Sequence, residues 1–220
     1  MLVDGAPAAK VAAPVLETQQ LDVAPGEDHV SRAGRKLAGA LDALEPLGLS
    51  VEGRTVLDAG ASTGGFTEEL LRRGAALVHA VDVGHDQLVP ELRSHPRVRA
   101  AEGVNVRHLV PGDLDPVPQI VVADLSFISL RLVLAPLEAV AAPGAQMLLL
   151  VKPQFEVGRE RLGSGGVVRD AKARQAAVDC VLAEAGTLGW TLREVRESVL
   201  PGPSGNVEYF AWWQARGGTP

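Results

Sequence analysis

The chain has 220 residues, 46% hydrophobic and 22% charged, and its 21 Lys and Arg against 27 Asp and Glu give a net charge of -6. That length suits one ordinary domain with a full core and a short appendage, and the composition excludes a disordered chain. A single cysteine, Cys180, excludes an internal disulfide and a cysteine-rich zinc site.

In chain order, the first thirty or so residues stand apart from the main domain. Leu2-Val3-Asp4-Gly5 reads as a hairpin fragment by its Asp-Gly turn, and Ala- and Pro-rich sequence then leads to the acidic pair Glu27-Asp28. Ser31 is placed as the N-cap of a helix reaching Leu44, with Leu37, Ala40, Leu41 and Leu44 as its apolar stripe and Gly34 and Gly39 weakening it. Beyond Gly53, short apolar runs alternate with helical stretches. Strands are predicted at Thr55 to Leu57, Leu77 to Val81, Val98 to Ala101, Gln119 to Ala123 and Gln146 to Val151. The helices between and after them lie near Thr67 to Arg73, Gln87 to Ser94, Leu130 to Val140 and Asp170 to Leu188. Two last strands, near Leu192 to Ser198 and Val207 to Trp213, are joined only by a Pro- and Gly-rich turn. The pattern predicts an α/β fold, a mostly parallel sheet with helices on both faces that ends in an antiparallel hairpin. Around Cys180, Ala176, Ala177, Val181 and Ala183 suggest a helix packing face with the thiol buried. The five histidines show no metal-ligand spacing and are expected to be surface or ordinary polar residues. The longest apolar run, Met147 to Val151, is far too short to span a bilayer, and no basic, apolar leader opens the chain, so a cytoplasmic location is expected.

The segment Asp58-Ala59-Gly60-Ala61-Ser62-Thr63-Gly64-Gly65-Phe66-Thr67 follows the first strand of the main domain and opens a helix, where an open α/β sheet binds nucleoside-containing cofactors. Asp82 closes the next strand, where a carboxylate can accept both hydroxyls of a ribose. A dinucleotide would call for glycine at position 62, which is Ser62. S-adenosylmethionine, which has no phosphate, suits the loop better, with Asp58 placed to meet its ammonium group. A plain Gly-rich turn without ligand is the alternative.

Four charged residues close or follow apolar runs: Lys36, Asp124, Lys152 and Glu208. They stand in Ser31-Arg32-Ala33-Gly34-Arg35-Lys36-Leu37, Val122-Ala123-Asp124-Leu125-Ser126-Phe127, Val151-Lys152-Pro153-Gln154-Phe155-Glu156 and Gly205-Asn206-Val207-Glu208-Tyr209-Phe210. On their own they read as proton-transfer groups or as two structural ion pairs. Together with the glycine loop, these motifs resemble the TlyA family, hemolysin A and ribosomal-RNA 2′-O-methyltransferases with an FtsJ-like catalytic domain, in order over about residues 30 to 214. The resemblance implies a Rossmann-like methyltransferase with Lys36, Asp124, Lys152 and Glu208 as its catalytic tetrad. It implies S-adenosylmethionine at Asp58, Gly60, Ser62, Thr63, Gly64, Gly65, Phe66, Asp82 and Asp124, and as substrate the 2′-hydroxyl of cytidine in ribosomal RNA, free or in a ribosomal subunit. It implies no metal and leaves the oligomeric state open.

Such a reaction needs a positioned base, because the ribose oxygen must lose its proton as the new bond forms. A lysine can serve if a second lysine and partial burial disfavour its charged form, with carboxylates holding the amine in place. Lys152 is the expected base; Lys36 supplies repulsion or grips the RNA phosphate, and Asp124 and Glu208 orient the amines. Phe127 is read as a base-stacking aromatic or as a buried one. Gly163, Gly165 and Gly166 suggest a mobile loop over the RNA entrance or a plain surface loop.

Family members usually begin with an S4 RNA-binding domain, and here only Met1 to about Pro14 resembles the end of one. The expected organisation is therefore an S4-like remnant and linker over 1–29, a methyltransferase domain over 30–216 and a tail over 217–220. The chain is truncated, given a late start, or naturally without that module. The negative charge agrees with this, since a nucleic-acid binder is usually basic. Two basic clusters, Arg32-Arg35-Lys36 and Arg159, Arg161, Arg169, Lys172 and Arg174, would touch RNA or form solvated helix faces. A membrane-active hemolysin and a non-catalytic cofactor- or RNA-binding module are the competing functions; no spanning or strongly amphipathic basic segment favours the first, and a binding module would not need both lysines and both acids.

Overall fold

The computed structural model describes residues 2–3, 6–7, 15–16, 18–22, 29–158, 160 and 162–217. Near the N-terminus, Leu2–Val3 (β1) pairs antiparallel with Ala6–Pro7 (β2) and with Leu21–Asp22 (β3). The first pairing is the expected hairpin; its turn residues Asp4 and Gly5, like Glu27, Asp28, Arg159 and Arg161, lie outside the described residues.

The main sheet is built from Thr55–Ala59 (β4), Leu77–Asp82 (β5), Val98–Glu102 (β6), Ile120–Ala123 (β7), Gln146–Val151 (β8), Thr191–Glu197 (β9) and Tyr209–Gln214 (β10). Its order is β6-β5-β4-β7-β8-β10-β9, with β4 to β8 mutually parallel and β10 antiparallel to both neighbours. The predicted terminal hairpin is present, with its second strand lying between β8 and β9. The order reverses beside β4, so the carboxyl ends of β4 and β7 flank a crevice, the usual ligand position in an open sheet.

Successive residues of the buried strands serve opposite faces because the side-chain period is two. Val56, Ile120, Val122, Leu148, Leu150 and Phe210 pack with Arg32–Leu44 (α1) and Gly65–Arg72 (α2). Leu57, Val121, Ala123, Met147, Leu149 and Trp213 pack on the other face with Leu134–Ala139 (α4) and Ala171–Thr187 (α6). The predicted two-faced α/β architecture is therefore the observed one.

Local predictions need three corrections. The helix expected at Gln87 to Ser94 is only Pro90–Arg93 (α3). The one expected from Leu130 to Val140 is a 3-10 turn, Leu130–Leu132, followed by α4, because Pro136 is tolerated only in the first turn of a helix. Cys180 is exposed: α6 turns Ala177, Val178, Val181 and Ala185 inward and leaves the thiol outside that stripe. His79 is buried on β5, with Nε2 2.9 Å from the Pro116 carbonyl, while no cluster of metal-ligating residues occurs among the described residues.

Both helix-weakening glycines of α1 mark close packing. A Cβ at Gly34 would stand 3.0 Å from the Gly65 carbonyl, and one at Gly39 would stand 2.6 Å from Val199 Cγ1. Glycine at both places lets α1 press against the start of α2 and the loop before β10. The helix bearing Lys36 is thereby fixed beside the glycine loop. Ser31 sits at the N-cap as expected, in an extended conformation, but its side chain makes no capping bond.

Candidate active site

Lys36 lies on the second turn of α1, Asp124 follows β7, Lys152 follows β8, and Glu208 immediately precedes β10. The strand order makes β7, β8 and β10 consecutive neighbours. Lys36 Nζ donates to Glu208 Oε2 at 2.6 Å, and Gln154 Nε2 donates to the other oxygen, Oε1, at 2.9 Å. Lys152 Nζ lies 2.6 Å from Asp124 Oδ1, off the line of a hydrogen bond, and donates to Ser126 Oγ at 2.9 Å. Lys36, Lys152 and Glu208 are only 6%, 8% and 1% exposed. Charges this deep persist only because each has an opposite partner.

Both lysines border one cavity of about 450 Å³, together with Arg32, Thr63, Phe66 and Asp124. A second cavity of about 710 Å³ lies against it, and Gly60, Ser62, Asp124 and Ser126 line both. Its walls are apolar at Val83, Val106, Leu125 and Ile128 and polar at Asp82 and Asn105. One cavity is thus bordered by both lysines and Asp124, and the other has the apolar walls and carboxylate that suit a nucleoside.

The glycine loop is shaped by three positive φ angles, 87° at Gly60, 47° at Ser62 and 103° at Gly64. At Gly60 a Cβ would also come within 2.8 Å of the Asp124 carbonyl, so only glycine lets the two loops meet. Ser62 holds a conformation unusual for a residue with a side chain, and local bonds support it. Its N–H donates to Asp82 Oδ2 at 2.9 Å, and its hydroxyl donates to Gln87 Oε1 at 3.2 Å. Asp82 Oδ1 accepts from Gly84 N at 2.7 Å, so this carboxylate fixes the loop as well as facing the second cavity.

Asp58 is fully buried beneath the loop and accepts from Thr67 Oγ1 at 2.6 Å through Oδ2. Burial raises its pKa to about 7 against the hydrogen bond from Thr67, which lowers it, and the nearby Asp124 and Asp82 carboxylates add to the rise. Its Oδ1 has no partner among the described residues. An orphaned acceptor at the foot of a glycine loop fits a donor-bearing ligand above it. Gly60, Ser62, Thr63, Phe66, Asp82 and Asp124 line one or both cavities, while Asp58, Gly64 and Gly65 line neither. Phe66 also stacks on Phe210 at 6.0 Å, tying the loop to β10.

Phe127 is 92% exposed at the mouth of the second cavity, with φ of 64° and its ring 5.3 Å from that of Phe155. The buried alternative for this residue is excluded. Asn206, in the turn before β10, is buried and reaches the Gly-rich loop: its side chain accepts from Val168 N at 3.0 Å and donates to the Gly166 carbonyl at 3.0 Å. The loop is thus fastened to the turn that leads into Glu208. Sequence reasoning assigned no role to Ser126, Gln154, Asn206 or Asn105. The first three stand inside the motifs of the charged tetrad, and their polar character beside those charges was the available signal.

Residues 29–215 match the FtsJ-like methyltransferase family. Over 212 residues the chain is 51% identical to the 16S/23S rRNA (cytidine-2'-O)-methyltransferase TlyA of Mycobacterium tuberculosis, covering 96% of this chain and 78% of the relative. It is 36% identical over 215 residues to the hemolysin A of Brachyspira hyodysenteriae, covering 96% of this chain and 87% of the relative. A crystal structure from Lactococcus lactis superposes with a TM-score of 0.81 at 41% identity, covering 84% of this chain and 88% of that one.

Proposed function

The chain belongs to the FtsJ-like methyltransferase family, and on that basis we propose that it methylates the ribose 2′-hydroxyl of ribosomal RNA, at cytidine, with S-adenosylmethionine as donor. The observation that supports this best is the pair of buried ion pairs, Lys36 with Glu208 and Lys152 with Asp124, beside a cavity continuous with the glycine loop. Ribose methylation asks for a base and an orienting frame, and these side chains supply both.

S-adenosylmethionine, when bound, supplies an electrophilic methyl group on a sulfonium. Asp82 would accept from the ribose hydroxyls of that cofactor, Gly60 and Ser62 would let the backbone approach it, and the apolar side chains of the second cavity would flank its base. For Lys152 Nζ to accept the proton of the RNA hydroxyl, the ammonium that pairs with Asp124 must first give up its own proton, and Asp124 Oδ1 at 2.6 Å is at hand to take it. Asp124 and Ser126 hold Nζ in place and keep it from rotating away. Lys36, fixed by Glu208, faces the same cavity and is suited to a phosphate oxygen of the RNA. Phe127 offers an exposed ring face for a base. Excluding water from the space between the lysines strengthens each of these interactions.

Either free RNA or an assembled subunit in the cytoplasm would serve as substrate. No helix among the described residues is long and apolar enough to cross a membrane. The test is transfer of labelled methyl from S-adenosylmethionine to ribosomal RNA lacking the modification. Label recovered in alkali-resistant dinucleotides supports ribose methylation, and label recovered on free bases contradicts it.

A further inference from the structure

Glu156 closes Pro153–Glu156 (α5), the single turn that follows Lys152. Its side chain is 1% exposed, yet it faces neither cavity. Instead it reaches the far end of the loop after β7. Ser129 Oγ donates to Glu156 Oε2 at 2.5 Å, Leu130 N donates to Oε1 at 2.7 Å, and Arg131 Nε lies 3.4 Å from Oε2. The near end of that same loop carries Asp124 and Ser126, the two oxygen partners of Lys152. Between the two ends stands Phe127, whose left-handed backbone stores strain that favours letting the loop relax. The loop is therefore held to the Lys152 turn at two points, by the Lys152 contacts at one end and by Glu156 at the other.

We propose that Glu156 is a positioning residue, one that sets the placement of Asp124 and Ser126 around Lys152 by fastening the 126–130 loop to the turn after β8. The proposal rests on the function proposed above, and deepens it by naming what keeps the base in register. Glu156 touches neither reacting atoms nor cofactor. Its effect runs through tether geometry, because a catalytic amine displaced by about 1 Å can lose on the order of a hundredfold in rate.

Two substitutions separate tether from charge. Glu156→Ala removes both acceptors. Glu156→Gln keeps them in kind, since the amide oxygen can accept from Leu130 N while the amide N–H donates to Ser129 Oγ. The experiment measures single-turnover methylation of ribosomal RNA, cofactor affinity by calorimetry, and acylation of Lys152 by an amine-reactive reagent followed by mass spectrometry. Glu156→Ala should slow methylation by about 10–100-fold with cofactor affinity within about twofold, and should speed Lys152 acylation severalfold. Glu156→Gln should restore both readouts to near the parent values. Should Glu156→Ala fail to fold, Ser129→Ala, which removes one of the two neutral partners, should show the same changes in smaller degree. Unchanged Lys152 labelling in the folded Ala variants, or a Gln variant as slow as Glu156→Ala, would overturn the proposal. Because labelling needs no RNA, a parent chain that transfers no methyl to RNA would refute the proposed function while the labelling result still decides the role of Glu156.

Discussion

Lys36 and Glu208, 172 positions apart in the sequence, meet as an ion pair 2.6 Å long. The contact joins the first helix of the domain to the start of its last strand, and almost no solvent reaches it. A pair buried to this degree is held together by mutual need, since either charge alone would be stranded in a low dielectric.

Removing one member should therefore cost more than the pair itself is worth. Glu208→Ala is expected to lower unfolding free energy by about 3–5 kcal/mol, and Lys36→Ala by a similar amount. The double variant should lose less than the sum, with a coupling of about 1–3 kcal/mol in urea melts. Strict additivity would mean that the two side chains do not stabilise one another.

Asp58 makes the chain's stability depend on pH in a defined direction. Its pKa stands at about 7 when folded, against an ordinary value of 3.8. Between those values the folded chain keeps a proton that the unfolded chain has released. The resulting stability is full below the lower value, declines as pH rises, and is gone above the upper one, a loss on the order of 4 kcal/mol for this group. Asp58→Asn, which cannot ionise, should abolish that decline. Urea unfolding at pH 5 and pH 8 reads it directly: the stability of the parent relative to the variant should fall by about 2–3 kcal/mol from the lower pH to the higher. Parallel curves at both pH values would show that burial does not hold Asp58 neutral.

Gly60→Ala tests the meeting of the two loops. The added methyl must accept a φ of 87° and press on the Asp124 carbonyl. A left-handed conformation costs a residue with a Cβ about 1–2 kcal/mol, and the contact adds to this. Calorimetry should show S-adenosylmethionine binding weakened at least tenfold, and melting should fall. Asp82→Ala should weaken binding by about 1–3 kcal/mol, both by losing an acceptor and by freeing Ser62 and Gly84. Unaltered affinity in both variants would place the cofactor elsewhere.

Much of this architecture is written in local pattern. The run from Met147 to Val151 sends successive side chains to opposite faces and is buried throughout, which an uninterrupted apolar segment between turn signals announces. The Gly60 to Gly65 loop was legible because a turn between strand and helix needs glycine at set places. Less legible were features made by distant residues. Nothing near Lys36 indicates that its partner is Glu208, and nothing in the last two strands indicates that β10 lies between β8 and β9. Cys180 shows a local limit: Ala176, Ala177, Val181 and Ala183 form too broad a small-residue stripe to orient α6, and packing against the sheet decided the face. Glu156 escaped notice because its role consists of reaching another loop.

The central claim is that Lys152 removes the proton from a ribose hydroxyl, and single-turnover methylation of ribosomal RNA by Lys152→Ala, read beside its cofactor affinity, tests it most directly. The expected rate is about 10²–10⁴-fold below that of the parent chain with S-adenosylmethionine affinity nearly unchanged, because Lys152 borders the cavity it shares with Lys36 and not the one lined by Asp82. A variant that methylates at close to the parent rate would contradict the claim.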